Sequence, residues 1–258
     1  MVTVTIAVVQ APARRGRPGV TRRLYDRLLG DIEADVILLP ELALVGYDPG
    51  LDYAALAESE DGPTLRWAEA WAFRLNALVA VGLPLKSGKR FHNALALILP
   101  DGKRLIYAKR HLWGAEGEQF IPGRAQAPVF DFAGVRLAPL ICYDMTFAEE
   151  TAPLAGKIDL LLVASAWPWM SREHAVAGRD LARALATQLG AAVAWANQVG
   201  RCRVATPAGV GKDRGAGLSL ITLPYRTAEA RCPGRGTASA TLTIDVDRLR
   251  RRRMEKFV

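Results

Sequence analysis

An α/β fold is predicted for this sequence by three observations. Half of its 258 residues are hydrophobic, enough at that length to bury a large core in a single globular domain. Apolar runs of strand length outnumber segments of helical period. The helical segments fall between pairs of strand-like ones, and this β-α-β rhythm, with hairpins inserted, predicts a mixed sheet or two packed sheets covered by helices.

Residues 2–10 (VTVTIAVVQ) alternate and then run apolar, as a strand entering a core does. Over 20–34, Leu24, Leu28 and Ile32 recur at helical spacing among arginines and aspartates, which predicts an amphipathic helix. Residues 35–40 (DVILLP) form a short strand that leads directly into Glu41. A second helix is expected over 63–76 and a buried strand over 77–84 (ALVAVGLP). Residues 93–100, the Asp101-Gly102 turn and residues 104–109 read as a hairpin. Strands follow at 135–142 and 159–166, then a helix over 175–189 with Leu181, Leu185 and Leu189 on one face. Strands at 191–197, 217–223 and 237–246 complete the set. Residues 203–215, rich in glycine and charge, are expected to form a mobile loop.

Composition narrows the function. No window approaches the ~18 consecutive apolar residues of a membrane span, and the first residues run straight into a strand without a leader pattern, so a cytoplasmic protein is expected. Cys142, Cys202 and Cys232 are far apart with no C-x-x-C pair, and His92, His111 and His174 lack metal-ligand spacing. No disulfide, metal or cofactor is expected. The net charge of +8 gathers in residues 13–17 and 248–253. Without an aromatic-interleaved basic stretch, this charge fits solvated surface and a basic tail (about 248–258) better than nucleic-acid binding, and the tail equally fits a subunit contact.

Three reactive residues stand at the ends of apolar strands: Glu41 after VILLP, Lys109 after RLIYA and Cys142 after LAPLI. Strand carboxyl ends line the ligand crevice of α/β sheets, so the three are placed to converge. Each alone has an ordinary explanation: a glutamate that begins a surface loop, a solvated edge lysine, or a buried cysteine acting as a small hydrophobe. Their surroundings decide between these readings.

The segments PELALVGY (40–47), YAKRHLWGAEGEQFIPG (107–123) and ICYDMTFAE (141–149) resemble the nitrilase superfamily of carbon-nitrogen hydrolases. AVVQ, DGP, HNALALILPDG, SAWP and NQVG also fall where such proteins have similar segments. The resemblance implies a four-layer α-β-β-α sandwich and a single domain over residues 1–258. It further implies a homodimer or higher homo-oligomer whose contact the C-terminal segments cross. Residue by residue, it places a catalytic triad on Glu41, Lys109 and Cys142.

In that triad a carboxylate accepts the thiol proton while an ammonium stabilises developing negative charge, so no histidine is required. The backbone N–H of Tyr143 would join Lys109 at the oxyanion. A supporting glutamate falls on Glu116, with Glu118 as the competitor, and Tyr47 and Trp167 fall near the pocket. The implied activity is hydrolysis of a small linear amide or N-carbamoyl compound through a thioester. Tyr143-Asp144 is similar to the amidase and carbamoylase branches rather than to nitrile-cleaving members. Leu85 and the segment 183–187 depart from the family pattern at what look like pocket-wall and support positions.

Three other readings compete. Nitrile hydrolysis would use the same triad. A non-catalytic basic protein on this scaffold would bind nucleic acid with salt sensitivity that survives loss of Cys142. A Cys-His hydrolase would pair Cys142 with His111 or His174.

Overall fold

The structure, a computed structural model, describes residues 1–206 and 209–255. Fourteen strands are found among them: β1 (Thr3–Gln10), β2 (Val36–Leu38), β3 (Leu78–Ser87), β4 (Arg90–Ile98), β5 (Arg104–Ala108), β6 (Phe130–Phe132), β7 (Val135–Ile141), β8 (Leu160–Ser165), β9 (Ala192–Asn197), β10 (Val199–Thr206), β11 (Gly209–Ala216), β12 (Leu220–Thr222), β13 (Glu229–Arg231) and β14 (Ala238–Asp245). Seven α-helices accompany them: α1 (Pro18–Gly30), α2 (Tyr53–Leu56), α3 (Pro63–Leu75), α4 (Glu116–Gln119), α5 (Ala148–Thr151), α6 (Arg172–Leu189) and α7 (Val246–Met254).

Two six-stranded sheets carry the fold, in the orders β14-β1-β2-β3-β4-β5 and β13-β12-β9-β8-β7-β6. Each has three parallel strands at its centre and antiparallel strands outside them. Strand alternation sorts the core. Val4, Ile6 and Val8 of β1 face the second sheet, while Ala7 and Val9 face α1 and α3. Ala182, Leu185 and Leu189 of α6 pack on the outer face of the second sheet. The result is an α-β-β-α sandwich, buried on both faces of both sheets as near-continuous apolar strands require.

Local chemistry sets the helix ends. Pro18 and Pro63 open α1 and α3, where the missing N–H has no helical partner to lose. Ser171 caps α6 by accepting from the His174 N–H at 3.1 Å, and Gly190 closes it with φ +62°.

Two segments differ from expectation. The loop expected over 203–215 is instead part of an antiparallel ribbon, β10 paired with β11, and residues 207–208 lie outside the described residues. Its strands are held by distant partners rather than by an apolar face: Arg203 donates to Asp48 at 2.9 Å, and Arg214 stacks on Trp169 at 3.7 Å. The arginines at 248–253 lie within α7, where Val246 and Leu249 are buried and where Arg250 and Arg253 pair with Asp159. Residues 256–258 of the expected tail lie outside the described residues.

Candidate active site

β2, β5 and β7 all point their carboxyl ends at one place, and each leads into a polar or reactive residue. Glu41 follows β2 by way of Leu39 and Pro40. Its backbone lies against Gly82 of β3, where a Cβ would come within 2.7 Å of the Glu41 Cα, so glycine is required for the approach. Lys109 directly follows β5; its N–H donates to Asn93 O and its carbonyl accepts from Gly123 N, both at 2.8 Å. Cys142 directly follows β7 and opens a short 3-10 turn (Cys142–Thr146) with φ +48°, a left-handed conformation uncommon outside glycine.

The three side chains line a cavity of about 90 Å³ together with Tyr47, Trp113, Glu116, Tyr143, Ala166, Trp167, Pro168 and His174. Lys109 is 1% exposed, and its Nζ donates to Glu41 at 2.7 Å and to Glu116 at 2.8 Å. Glu41 is equally buried; it also accepts from Asn93 Nδ2 at 2.7 Å and from the Ala166 N–H at 2.8 Å. Every partner of Glu41 is therefore a donor, and Ala166, at the end of β8, links it to the second sheet.

The electrostatics follow from this packing. Burial opposes the Lys109 charge, but Glu116 and Glu41 outweigh it and hold the ammonium well above the ordinary lysine range. Burial, with Glu41 adding to it against Lys109, pushes Glu116 from 4.5 up to about 7. Burial, again reinforced by Glu41, pushes the Cys142 thiol up despite Lys109, so the resting thiol is protonated. A base is needed to ionise it.

Asp144 holds the geometry together. It is fully buried, accepts from Tyr107 Oη at 2.9 Å, and receives the backbone N–H groups of Arg110, His111 and Ile141. One carboxylate thus pins the segment that carries Lys109 to the turn that carries Cys142. Asn197 does the same on the other wall, accepting from Trp167 N at 2.7 Å and donating to Trp167 O at 3.2 Å. Gln198 Nε2 donates to the Glu41 carbonyl.

Glu41, Lys109, Cys142, Tyr143, Glu116, Tyr47 and Trp167 therefore share one cavity. Glu116 reaches Lys109, whereas Glu118 is exposed. His111 stacks on Phe147 with centroids 3.7 Å apart and turns Nε2 to Glu150 at 3.0 Å, outside the cavity lining. Leu85 and Arg183 are not pocket-wall residues. Leu85 packs in the core beneath the first helix layer, because its place on β3 faces the helices, and Arg183 pairs with Glu229 at 2.6 Å on the outside of α6.

Of the two histidines weighed as partners of Cys142, His174 lies in the cavity lining and His111 does not; the places of Asn93 and Asn197 were not legible in sequence. The signal available was a polar residue inside or at the end of an otherwise apolar strand, as in NALALI and AVAWAN. Among the described residues no cluster of three or more metal-ligating side chains occurs. Among the same residues no helix is long and apolar enough to cross a membrane.

Residues 5–254 match the family model for carbon-nitrogen hydrolases. The chain is 31% identical over 203 residues to Omega-amidase YafV from Yersinia enterocolitica, a match covering 78% of this chain and 76% of that protein. It is 35% identical over 170 residues to the hydrolase in the pqqF 5′ region of Pseudomonas protegens, covering 64% of this chain and only 60% of that relative's length. In fold it is similar to a CN-hydrolase superfamily protein from Xanthomonas campestris whose crystal structure has an arsenic adduct in the active site. The TM-score is 0.82 and the identity 27%, over 99% of this chain and 95% of that one.

Proposed function

The chain belongs to the carbon-nitrogen hydrolase family, and on that premise we propose that it hydrolyses a small linear amide or N-carbamoyl compound through a thioester on Cys142. The observation that carries this reading is the meeting of a buried, protonated thiol with the Glu41–Lys109–Glu116 chain in one small cavity. The similarity to a protein named omega-amidase supports an amide as the substrate. The cavity size favours a small one.

Glu41 takes the thiol proton as Sγ attacks the carbonyl carbon. Two of the three Lys109 N–H groups are engaged by Glu41 and Glu116, which leaves one for the developing oxyanion. The Tyr143 N–H joins it, since the first donors of a 3-10 turn have no partner within the turn. Collapse breaks the C–N bond, and Glu41 returns the proton to the departing ammonia or amine. Water, deprotonated by the same carboxylate, then cleaves the thioester and restores the thiol. Glu116 acts through Lys109 as its second counter-charge.

Ammonia release from a panel of ω-amides and N-carbamoyl amines tests the reading, together with the mass of a covalent adduct on Cys142. Turnover by the wild type and none by Cys142→Ala is expected. An inactive wild type, or full turnover by the variant, would sink it. The same reading includes a cytoplasmic homodimer, and sedimentation at the mass of one chain would remove the dimer from it.

A further inference from the structure

We propose that His174 reads the substrate's acyl group by accepting a hydrogen bond from it, so that the cavity takes short, uncharged amides bearing a hydroxyl or N–H donor rather than amides bearing a carboxylate. This inference rests on the amidase reading above and deepens it to a substrate class.

Two observations carry it. The first is the charge inventory of the cavity. Only Lys109 and His174 among its lining residues can be cationic, and Lys109 is already shared between two carboxylates. A carboxylate on the substrate would meet Glu41 and Glu116 with no free guanidinium or ammonium to pair with, and His174 already directs its Nδ1 at the Pro168 carbonyl, so its charge would be poorly compensated.

The second is the way His174 is held. Its N–H donates to Ser171 Oγ at 3.1 Å, and its carbonyl accepts from Trp167 Nε1 at 2.9 Å. Its ring stacks on the Trp167 indole with centroids 5.1 Å apart at 24°. That indole is wedged against Gly178, one turn along α6, where a Cβ would come within 3.0 Å of it. The ring Nδ1 lies 3.1 Å from the Pro168 carbonyl. A carbonyl only accepts, so Nδ1 carries a proton, and the imidazole tautomer this selects offers Nε2 as an acceptor. Among the described residues no hydrogen bond to Nε2 is found. Beyond the Glu41–Lys109–Glu116 chain the lining is mostly aromatic, from Tyr47, Trp113, Tyr143 and Trp167, so the free ring nitrogen of His174 is one of few polar groups, with the tyrosine hydroxyls, that this wall adds for a bound acyl group. A site built to hydrogen-bond a substrate hydroxyl discriminates against the analogue that lacks it.

The test compares kcat/KM for matched pairs that differ by hydroxyl against methyl, glycolamide with propionamide and 3-hydroxypropionamide with butyramide, and adds succinamate as the carboxylate case. In the wild type the hydroxy member of at least one pair should be favoured about tenfold, with succinamate below both. His174→Phe should bring that pair to within about twofold, and His174→Gln, which restores an acceptor oxygen, should recover part of the preference. Alkylation by iodoacetamide, read by mass on the same samples, identifies a variant that has lost its fold, because Cys232, buried and outside the cavity, then reacts as well; the wild-type ratios and the glutamine variant then decide.

Equal turnover of both members of each pair, an unchanged preference in His174→Phe, or a preference for succinamate would overturn the inference while leaving the amidase reading intact. No turnover of any amide by a wild type whose Cys142 still alkylates would overturn both.

Discussion

The two ends of the strands carry two buried ion clusters of opposite construction. At the carboxyl ends one cation, Lys109, serves two carboxylates, Glu41 and Glu116, beside a cavity. At the amino ends one carboxylate, Asp159, just before β8, serves three guanidiniums, those of Arg136, Arg250 and Arg253. Despite burial, their hydrogen bonds hold Asp159 well below the usual carboxylate range, whereas Glu116 is pushed up to about 7. A charge whose partners outnumber it is locked, and a pair of acids that must share one base keeps a group near neutrality that protons and substrates can perturb. The Asp159 arrangement builds structure, and the Lys109 arrangement is the one on which the proposed chemistry rests.

That division is sharpest when each cluster is broken in turn. Cys142→Ala, beside the acid-rich cluster, should lower kcat by about 10⁴-fold or more. It should change unfolding stability by under ~1 kcal/mol, since it trims one atom from a small side chain. Asp159→Asn should do the reverse. Arg253 is buried and would lose the one carboxylate it pairs with among the described residues, so urea unfolding should show a loss on the order of 3–5 kcal/mol. Activity per folded molecule should persist. If Asp159→Asn abolished turnover at full stability, the division between the clusters would be wrong.

The legibility of the two ends differs for the same reason. Glu41, Lys109 and Cys142 stand out in sequence because each interrupts an apolar strand at its end, and motif spacing around them survives as local pattern. The Asp159 cluster joins residues about ninety positions apart, and an arginine run such as RLRRRR has no local feature that separates a solvated tail from a docked helix. Its two inward anchors, Val246 and Leu249, are too few to show as a stripe. The β10–β11 ribbon was missed likewise, because residues 209–212 are exposed and its order comes from Asp48 and Trp169 across the chain. Strands packed on both faces were legible because burial imposes continuous apolar runs. For His174 the sequence offered only a candidate partner for Cys142, and its place on the cavity wall depends on which strand ends stand beside it.

The pH response of the first cluster is a smaller effect. Folding raises the Glu116 proton affinity from 4.5 to about 7, so between those values the folded state binds more protons than the unfolded one and stability falls as pH rises. The contribution is fully present below pH 4.5 and lost as pH passes about 7, on the order of 3 kcal/mol over the window. Glu116→Gln should flatten that part of the stability profile when melting is followed from pH 4.5 to 8. An unchanged slope would mean that Lys109 keeps Glu116 ionised throughout.

The smallest effect separates redundancy from necessity. Arg250 is about a third exposed, and Arg136 and Arg253 still cover Asp159 when it is removed. Arg250→Ala should therefore cost only about 1 kcal/mol, in the range of partly exposed ion pairs. Lys109 has no such understudy: with it gone, two buried carboxylates face each other across the cavity, one must take up a proton, and the oxyanion loses its cation. A loss for Arg250→Ala as large as that for Asp159→Asn, measured by urea unfolding, would show that the second cluster works as an indivisible unit rather than as one acid with spare partners.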